Sequence, residues 1–300
     1  MQTESNPKLP ILIYFTPDGW GEVRKFAEFY KTTYELPFNV SSALDGVENH
    51  FWRYTALMKL TQEMIPKLAE DEEELHKRGY SDAIRSKQLS AVLDTIFCEL
   101  YSTVDCTRKV LSEIYKRYRG INVGKTHKLF ENAENGKIED KVPIEIRNAL
   151  IEANKDWYPL LQGIRNAINH SNIGSCHLNG DKVSYFYPDS AKKPNNESVC
   201  EDIFQEVSNY ATKVNMFLGV VFHSLNTTLN DTPTTQICGV FGGRFYQRIV
   251  SPHEARDFNS GLCESYKWFE QESNPTCPFV NTCGAYLRIK EKRAVDEQAT

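Results

Sequence analysis

The sequence contains no hydrophobic run long enough to span a membrane and no secretory signal. A membrane-spanning helix needs about 20 mainly apolar residues, and no stretch of the chain approaches that length. The first residues, MQTESNPKLP, have neither the basic n-region nor the apolar h-region of a signal peptide. These absences predict a cytoplasmic protein without a membrane partner, in which the eight cysteines stay reduced.

Signatures of several enzyme classes are also missing. The glycine pair of GGRFYQ at 242–247 is not followed by the Lys-Ser or Lys-Thr of a phosphate-binding loop. The chain has no H-E-x-x-H motif of zinc peptidases and no G-x-S-x-G motif of esterases. The sequence therefore gives no support to kinase, metalloprotease or esterase-type function.

The chain also lacks an excess of positive charge. It has 300 residues, 40% of them apolar and 25% charged, so it can bury a sizeable core in one large domain or two small ones. Its formal charge of −5 argues against a generally basic nucleic-acid-binding protein. Any contact with RNA must therefore come from a local patch of positive side chains.

Helical periodicity dominates the middle of the chain. Apolar side chains recur at steps of three and four residues over 47–68, 89–118 and 199–221, with Pro66 expected to divide or kink the first helix. The Asn-Gly pair at 179–180 lies between two runs that can pair as strands, which predicts a β-hairpin. We therefore predict a mainly α protein, built as an antiparallel helical bundle with a hairpin attached.

Composition suggests three parts of the chain. Residues 1–45 have a weak pattern, in which LPILIYF at 9–15 predicts a short strand. The polar run TTLNDTPTT at 227–235 has the composition of a linker. We predict an N-terminal extension with a short strand at 1–45, a helical domain at 46–228 and a Cys-containing C-terminal extension at 229–300.

The stretch WYPLLQGIRNAINHSNIG at 157–174 predicts a short helix with two unlike faces. One arc of roughly 140° holds the polar side chains Tyr158, Gln162, Arg165, Asn166, Asn169 and His170. The opposite arc holds the apolar side chains Trp157, Leu160, Leu161, Ile164, Ala167 and Ile168. Asn is a poor helix former compared with Lys or Glu, so this polar face is an unusual choice for a solvated surface.

A local basic patch follows the second long helix. Its members are Lys116, Arg117, Arg119, Lys125 and Lys128. It is dense enough to follow a phosphate backbone, and we assign Lys116, Arg117 and Arg119 to substrate binding. Cations placed to suit the dipole of a helix C-terminus are the alternative explanation.

Arg165 and Asn166 followed by His170, late in a helical bundle and after a long helix containing YSTVDCTRKVLSEIYKRYRG, resemble the R-x4-6-H motif of the HEPN superfamily. In active members a polar residue, often Asn, follows the arginine. The resemblance covers about residues 47–225. A second pair at this spacing, Arg248 and His253, contains Pro252 and β-branched residues that disfavour a helix, so we set it aside.

The resemblance implies a metal-independent endoribonuclease that works as a homodimer without a cofactor. In that mechanism the ribose 2′-OH attacks the adjacent phosphate and leaves a cyclic phosphate end. Arg165 would bind the phosphate oxygens, His170 would exchange protons as base or acid, and Asn166 and Asn169 would orient His170 or bind the substrate. The resemblance also implies a toxin or host-defence effector with an antitoxin or regulatory protein as partner.

Other interpretations of these residues remain open. The polar face could instead be the seam of a non-catalytic interaction or nucleotide/RNA-binding module acting through dimerisation. Asp105 could orient His170 from the neighbouring helix, or could form a surface ion pair with Arg108.

The C-terminal cysteines are the other candidate site. Cys277 and Cys283 are separated by five residues, which does not match the C-x2-4-C pairs of common zinc sites. Buried reduced thiols are therefore our prediction for Cys238, Cys263, Cys277 and Cys283, with no metal assigned and a zinc site as the alternative.

Overall fold

A computed structural model describes residues 11–12, 19–170, 174–188, 198–241, 243–256 and 260–298. Its helices are α1 (Gly19–Phe29), α2 (Phe38–Met64), α3 (Ala69–Arg78), α4 (Ile84–Ile114), α5 (Thr126–Glu134), α6 (Ile144–Lys155), α7 (Tyr158–His170), α8 (Ile203–Asn226), α9 (Tyr266–Phe269) and α10 (Gly284–Gln298). Its strands are β1 (Ile11–Leu12), β2 (Ser175–Asn179), β3 (Lys182–Phe186), β4 (Val199–Cys200), β5 (Thr234–Phe241), β6 (Arg244–Val250) and β7 (Leu262–Cys263). The fold is mainly α, as predicted.

The chain forms two compact units, Leu36–Ser224 and Met1–Glu35 with Leu225–Thr300. The helical unit thus begins ten residues or so before the predicted boundary, and the predicted extension 1–45 is divided between the two units. No helix among the described residues has the length and apolar character needed to cross a membrane.

Helix α4 is the central helix of the larger unit. It packs against α2 on one side, where the His50 imidazole lies 2.6 Å from the Glu99 carboxylate, and against α7 on another. Its buried stripe includes Leu93, Phe97, Leu100 and Val104, at the three- and four-residue steps that the sequence shows. The division of the first long helix at Pro66 is confirmed, because residues Ile65–Leu68 form a 3₁₀ turn between α2 and α3.

The start of α4 is capped from the preceding helix. Its N-cap residue, Ala83, has no side-chain acceptor. The Asp71 carboxylate accepts hydrogen bonds from the backbone N–H groups of Arg85 (3.2 Å) and Ser86 (2.8 Å) instead. Asp71, in the first turn of α3, therefore satisfies donors that the N-terminus of α4 leaves unpaired.

The predicted β-hairpin is confirmed. Strands β2 and β3 pair antiparallel from Ser175↔Phe186 to Asn179↔Lys182, and β4 adds to β3. Gly180, the first of the two central residues of the turn, has φ +64°, a left-handed conformation that glycine adopts without strain. The inward face of the hairpin buries Cys176, Val183 and Tyr185, which pack the hairpin onto α4.

The smaller unit holds an antiparallel sheet in the order β1-β5-β6-β7. Strand β1 lies within the predicted strand at 9–15, and the other residues of that prediction lie outside the described part. Between α8 and β5 the predicted linker has no helix or strand until Thr234. A hydrophobic cluster in this unit includes Tyr246, Tyr266, Phe269 and Tyr286.

Candidate active site on helix α7

Helix α7 is held antiparallel to α4. Cys98 of α4 lies beside Asn169, whereas Tyr101, one turn later, lies beside Arg165 and stacks with Tyr158. Later residues of α4 thus meet earlier residues of α7. One face of α7 is buried at three-residue steps, by Tyr158, Leu161, Ile164 and Ala167. The other face, which carries Arg165, remains accessible to a substrate.

Arg165 is fixed by an aromatic ring and two amides. Its Cζ lies 5.0 Å from the centroid of the Tyr101 ring, a cation–π distance. Its Nη1 donates to Asn166 Oδ1 at 3.1 Å. With the Asn169 amide oriented so that its oxygen faces the guanidinium, Nε and Nη2 donate to that oxygen at 3.0 and 3.2 Å. Each Nη still has a second N–H for an external acceptor.

Asn166 and Asn169 therefore both accept hydrogen bonds from the Arg165 guanidinium. The sequence left open whether Asn166 and Asn169 orient His170 or bind substrate, and the structure places both amides on the guanidinium. His170 is the last residue of α7 and is exposed. Among the described residues, none forms a hydrogen bond with its imidazole.

The Arg165 guanidinium packs on a stack of three aromatic rings, Tyr101, Tyr158 and Phe130, which we call the aromatic column. The Tyr158 and Phe130 rings stack with centroids 3.8 Å apart and planes 5° apart. The Tyr101 ring stacks with Tyr158 at a centroid distance of 6.3 Å, and the Arg165 guanidinium lies over the Tyr101 ring. The prediction that Tyr158 belongs to the polar face is wrong, because its ring is only 1% exposed. Burial raises the pKa of the Tyr158 hydroxyl, so it stays neutral.

A buried carboxyl holds Gly174, the first described residue after α7. Asp94 of α4 is 4% exposed. Its Oδ1 accepts from the Tyr185 hydroxyl at 2.5 Å and its Oδ2 from the backbone N–H of Gly174 at 3.3 Å. Burial raises the pKa of Asp94, although both hydrogen bonds oppose that shift. Gly174 follows His170 by four residues in the sequence.

The sequence interpretation missed Asp94 and Cys98. With Tyr101 they lie at steps of four and three residues on α4, which puts them on one face of that helix. The Cys98 sulfur is 3.9 Å from the Asn169 amide. Burial raises the pKa of the Cys98 thiol, which the positive charge of Arg165 opposes. Asp94 interrupts the apolar stripe of α4 between Leu93 and Ile96. That interruption is the sequence signal that could have identified Asp94, Cys98 and Tyr101 as neighbours of the site.

The structure does not bring Asp105 to His170. Asp105 accepts hydrogen bonds from Arg108 Nε at 3.2 Å and from the Thr126 hydroxyl. It also lies 3.3 Å from Lys109 Nζ. Burial alone would raise the pKa of Asp105, but Thr126 and these cations lower it below its usual value. Because α4 and α7 are antiparallel, Asp105 is at the Tyr158 end of α7, away from its last turn. Of the two roles considered for Asp105, the structure therefore shows the ion pair with Arg108.

The basic residues lie farther along α4. Lys116, Arg117 and Arg119 are exposed just beyond its last residue, Ile114, and Lys116 pairs with Glu113 at 2.7 Å. At about 1.5 Å per residue, they lie roughly 25 Å from Cys98, the α4 residue beside Asn169. Within one chain they are not part of the cluster around Arg165.

Elsewhere, no three His, Cys, Asp or Glu side chains in the described part of the chain are arranged around a common metal position. The comparison of this chain with protein-family models, curated proteins and solved structures gives no match. The features of the candidate site therefore rest on the local geometry alone: a guanidinium held on an aromatic column, two amides that orient it, and an exposed imidazole at the end of the same helix.

Proposed function

We propose that this protein is a metal-independent endoribonuclease of the HEPN type, with Arg165 and His170 as its catalytic residues. The observation that carries the proposal is the guanidinium of Arg165, held by Tyr101, Asn166 and Asn169 with N–H groups still available. A planar cation fixed in this way suits two oxygens of a phosphodiester. The exposed imidazole of His170 on the next turn supplies a group that exchanges protons near neutral pH.

In the proposed reaction the ribose 2′-oxygen forms a bond to the adjacent phosphorus, and the bond from phosphorus to the 5′-oxygen breaks. One proton leaves the 2′-hydroxyl and one is delivered to the departing 5′-oxygen. Arg165 stabilises the negative charge that grows on the phosphate oxygens in the transition state. His170 serves one of the two proton transfers, while Asn166 and Asn169 position the guanidinium.

The proposal includes a homodimer in which two α7 helices face each other across the RNA. Each chain contributes one His170, and two proton transfers are needed, so a second motif helix completes the acid–base pair. Lys116, Arg117 and Arg119 then contact flanking nucleotides, because they lie at the other end of α4. Such contacts add salt-dependent affinity.

The test compares purified wild type with Arg165→Lys and His170→Ala on a mixed RNA substrate in EDTA. We expect wild type to give fragments ending in 2′,3′-cyclic phosphate, and His170→Ala to be slower by about 10²–10⁴-fold. His76→Ala is the matched control, because His76 is also exposed in the last turn of a helix. Cleavage that survives His170→Ala unchanged would count against the proposal.

A second candidate function is a non-catalytic interaction or RNA-binding module that acts through the same face. The observation favouring it is that no described carboxylate orients His170, while Arg165 already has three hydrogen bonds from its N–H groups. Folded, dimeric wild type that binds RNA without cleaving it would select this function. The role of a toxin or host-defence effector, with an antitoxin or regulatory protein as partner, extends the first proposal and predicts growth arrest on expression that Arg165→Ala relieves.

A further inference from the structure

A polar cavity of about 510 Å³ opens on the surface of the smaller unit. Its lining includes His253, Glu254, Arg256, Ser260, Gly261 and Arg288, all of which belong to that unit. We refer to it as the basic cavity. Small-molecule sites commonly have volumes of about 300–1,000 Å³, so the cavity has room for a ligand of that size.

The two arginines reach the cavity from separate segments, Arg256 from the chain after β6 and Arg288 from α10. The backbone N–H of Arg256 donates to the Ser260 hydroxyl at 2.9 Å. Nε and Nη2 of Arg288 donate to the Gly261 carbonyl at 3.0 and 2.6 Å. Ser260 and Gly261 are consecutive residues, so these contacts hold both arginines at the same place in the fold.

Gly261 anchors Arg288 to the sheet. Its φ is +81°, a left-handed conformation that favours glycine. A Cβ atom at this position would lie 2.4 Å from the carbonyl oxygen of Ile249 on β6, so the backbone packs directly against that strand. The carbonyl that accepts from the Arg288 guanidinium therefore has a fixed position. This reduces the conformational freedom that Arg288 would lose on binding a ligand.

Positive charge exceeds negative charge in the described lining of the cavity. The Gly261 carbonyl is a neutral acceptor, so it orients Arg288 without neutralising it. The Arg256 guanidinium forms no hydrogen bond or ion pair with another residue in the part of the chain that the structure describes. Glu254 is the one carboxylate among the described lining residues. Two guanidinium groups are therefore balanced by a single carboxylate.

The environment of Lys25, on α1 of the same unit, agrees with this excess of positive charge. Burial lowers the pKa of Lys25, and the charge of Arg256 lowers it further, whereas Glu22 and Asp231 oppose the shift. Asp231 also accepts the backbone N–H of His253 at 3.2 Å. An anion placed beside Arg256 would relieve the repulsion between these cations.

We propose that the basic cavity binds a phosphate monoester, with the phosphate group between the guanidinium groups of Arg256 and Arg288. A phosphate monoester carries a charge of about −1.5 to −2 at pH 7, which matches two arginines. The planar guanidinium also fits phosphate oxygens with two parallel N–H donors. Glu254 would accept a hydrogen bond from a hydroxyl or amine on the esterified part of the molecule.

The charges favour a small phosphorylated molecule over an RNA strand. Each phosphodiester of an RNA backbone carries one negative charge, and successive charges are spread along the strand. Two guanidinium groups held at consecutive residues instead concentrate positive charge at one point, which suits the dianion of a terminal phosphate. The basic cavity shares no residue with the site of Arg165 and His170, which lie in the larger unit, so this inference extends beyond the proposed function.

The experiment titrates the full-length protein with inorganic phosphate and with ribose 5-phosphate by calorimetry at low ionic strength. We expect both compounds to bind, and ribose, which lacks the phosphate, not to bind. Arg256→Gln should weaken both affinities by about ten- to a hundredfold, because it removes charge-assisted hydrogen bonds. Arg293→Gln, the matched control, should bind as wild type does, because Arg293 on α10 packs over the Tyr266 ring at 5.2 Å instead of lining the cavity.

Two results of this titration would overturn the proposal. Wild-type protein that binds neither phosphate compound has no phosphate site, and equal affinities for wild type and Arg256→Gln would place any binding elsewhere. Among the described residues Arg256 forms hydrogen bonds only through its backbone, so the variant should fold as wild type does. Circular dichroism and thermal unfolding check this.

Two competition measurements complete the test. Acetate that displaces phosphate at equal concentration would show an unselective anion site and overturn the choice of phosphate. A 2′-O-methyl oligonucleotide without a terminal phosphate that binds at Arg256 more tightly than ribose 5-phosphate would identify a contact with an RNA backbone instead. No result depends on RNA cleavage, because the oligonucleotide has no free 2′-hydroxyl.

Discussion

The Asp94 carboxylate and the Tyr185 hydroxyl, from α4 and the β-hairpin, form a buried hydrogen bond of 2.5 Å. The same carboxylate accepts the backbone N–H of Gly174 at 3.3 Å, and Ser90, one turn earlier on α4, accepts the N–H of Cys176 at 2.8 Å. The chain is therefore bound to the central helix at Gly174 and Cys176, and these two bonds attach the start of the hairpin to that helix.

Gly174→Ala should destabilise the larger unit. A Cβ atom at this position would lie 2.0 Å from the Tyr185 hydroxyl oxygen, and the Tyr185 ring is fully buried, so it cannot move aside cheaply. We expect a loss of about 1–3 kcal/mol in the free energy of unfolding, measured by urea denaturation. Gly124→Ala is the control, because nothing lies within 4 Å of its Cβ position. Equal stability of the two variants would show that the close packing at Gly174 is wrong.

Tyr185→Phe should weaken the bundle more at pH 7 than at pH 4. Burial already raises the pKa of Asp94, and the Tyr185 hydrogen bond opposes the rise, so the variant raises it further. A carboxyl with a raised folded-state pKa binds its proton more tightly when folded, so stability falls as pH rises from about 4 through that pKa. We expect a loss of about 1–3 kcal/mol at pH 7 and a smaller one at pH 4.

The control for this experiment is Tyr80→Phe. Tyr80 also donates to an aspartate, Asp82, at 2.5 Å, but the pair is exposed to solvent. Deleting the same atom there should leave the free energy of unfolding nearly unchanged at either pH. A loss for Tyr185→Phe that is independent of pH would show that the ionisation of Asp94 does not contribute.

The features that follow from local periodicity could be predicted from the sequence. The break at Pro66, the hairpin at Asn179 and Gly180, and the helix that carries Arg165 all depend on residues close together in the chain. The burial of Tyr158 could not, because it depends on stacking with Phe130 and Tyr101 from other helices. A helical wheel places Tyr158 on the polar arc of α7 from its angle alone. Stacking with Phe130 and Tyr101 buries it nevertheless, so the buried face of α7 is wider than the apolar arc.

The same reason explains the capping of α4. Ser81 has the residue type and position of an N-cap, and its hydroxyl does accept the Ala83 N–H at 3.0 Å. The helix begins later, at Ile84, and Asp71 reaches it from α3. Asp71 is 15 residues from Ser86, whose backbone N–H it accepts. The sequence around the start of α4 cannot show such a cap, because the contact exists only after α3 has folded against α4.

Asp71→Ala should destabilise α4 in a manner that depends on pH. Burial alone would raise the pKa of Asp71, but the hydrogen bonds from Ser86 and Arg85 outweigh it and lower the pKa. A lowered folded-state pKa gives stability that is present above the unfolded pKa of about 4 and is lost as pH falls through the folded value. We expect a loss of about 0.5–2 kcal/mol at pH 7, which shrinks towards pH 3.

Two companion variants isolate this effect. Asp71→Asn keeps an acceptor for the helix N-terminus without a titratable group, so it should retain much of the stability and lose its pH dependence. Glu72→Ala removes an exposed carboxylate from the same helix turn and should have an effect below about 0.5 kcal/mol. Equal losses for Asp71→Ala and Glu72→Ala in urea titrations would mean that general charge, rather than capping, is responsible.

Tyr101→Leu should release Arg165 from its fixed position, whereas Tyr101→Phe should not. The ring of Tyr101 holds the guanidinium at 5.0 Å, and a cation–π contact contributes about 0.5–2 kcal/mol. If the proposed ribonuclease activity is present, the leucine variant should cleave RNA about two- to thirty-fold more slowly, while the phenylalanine variant keeps its rate. The Nε–H resonance of Arg165 reports the contact independently of activity, because a stacked ring shifts it upfield. A resonance that is identical in wild type and Tyr101→Leu would show that the ring does not hold the guanidinium, whatever the cleavage assay finds.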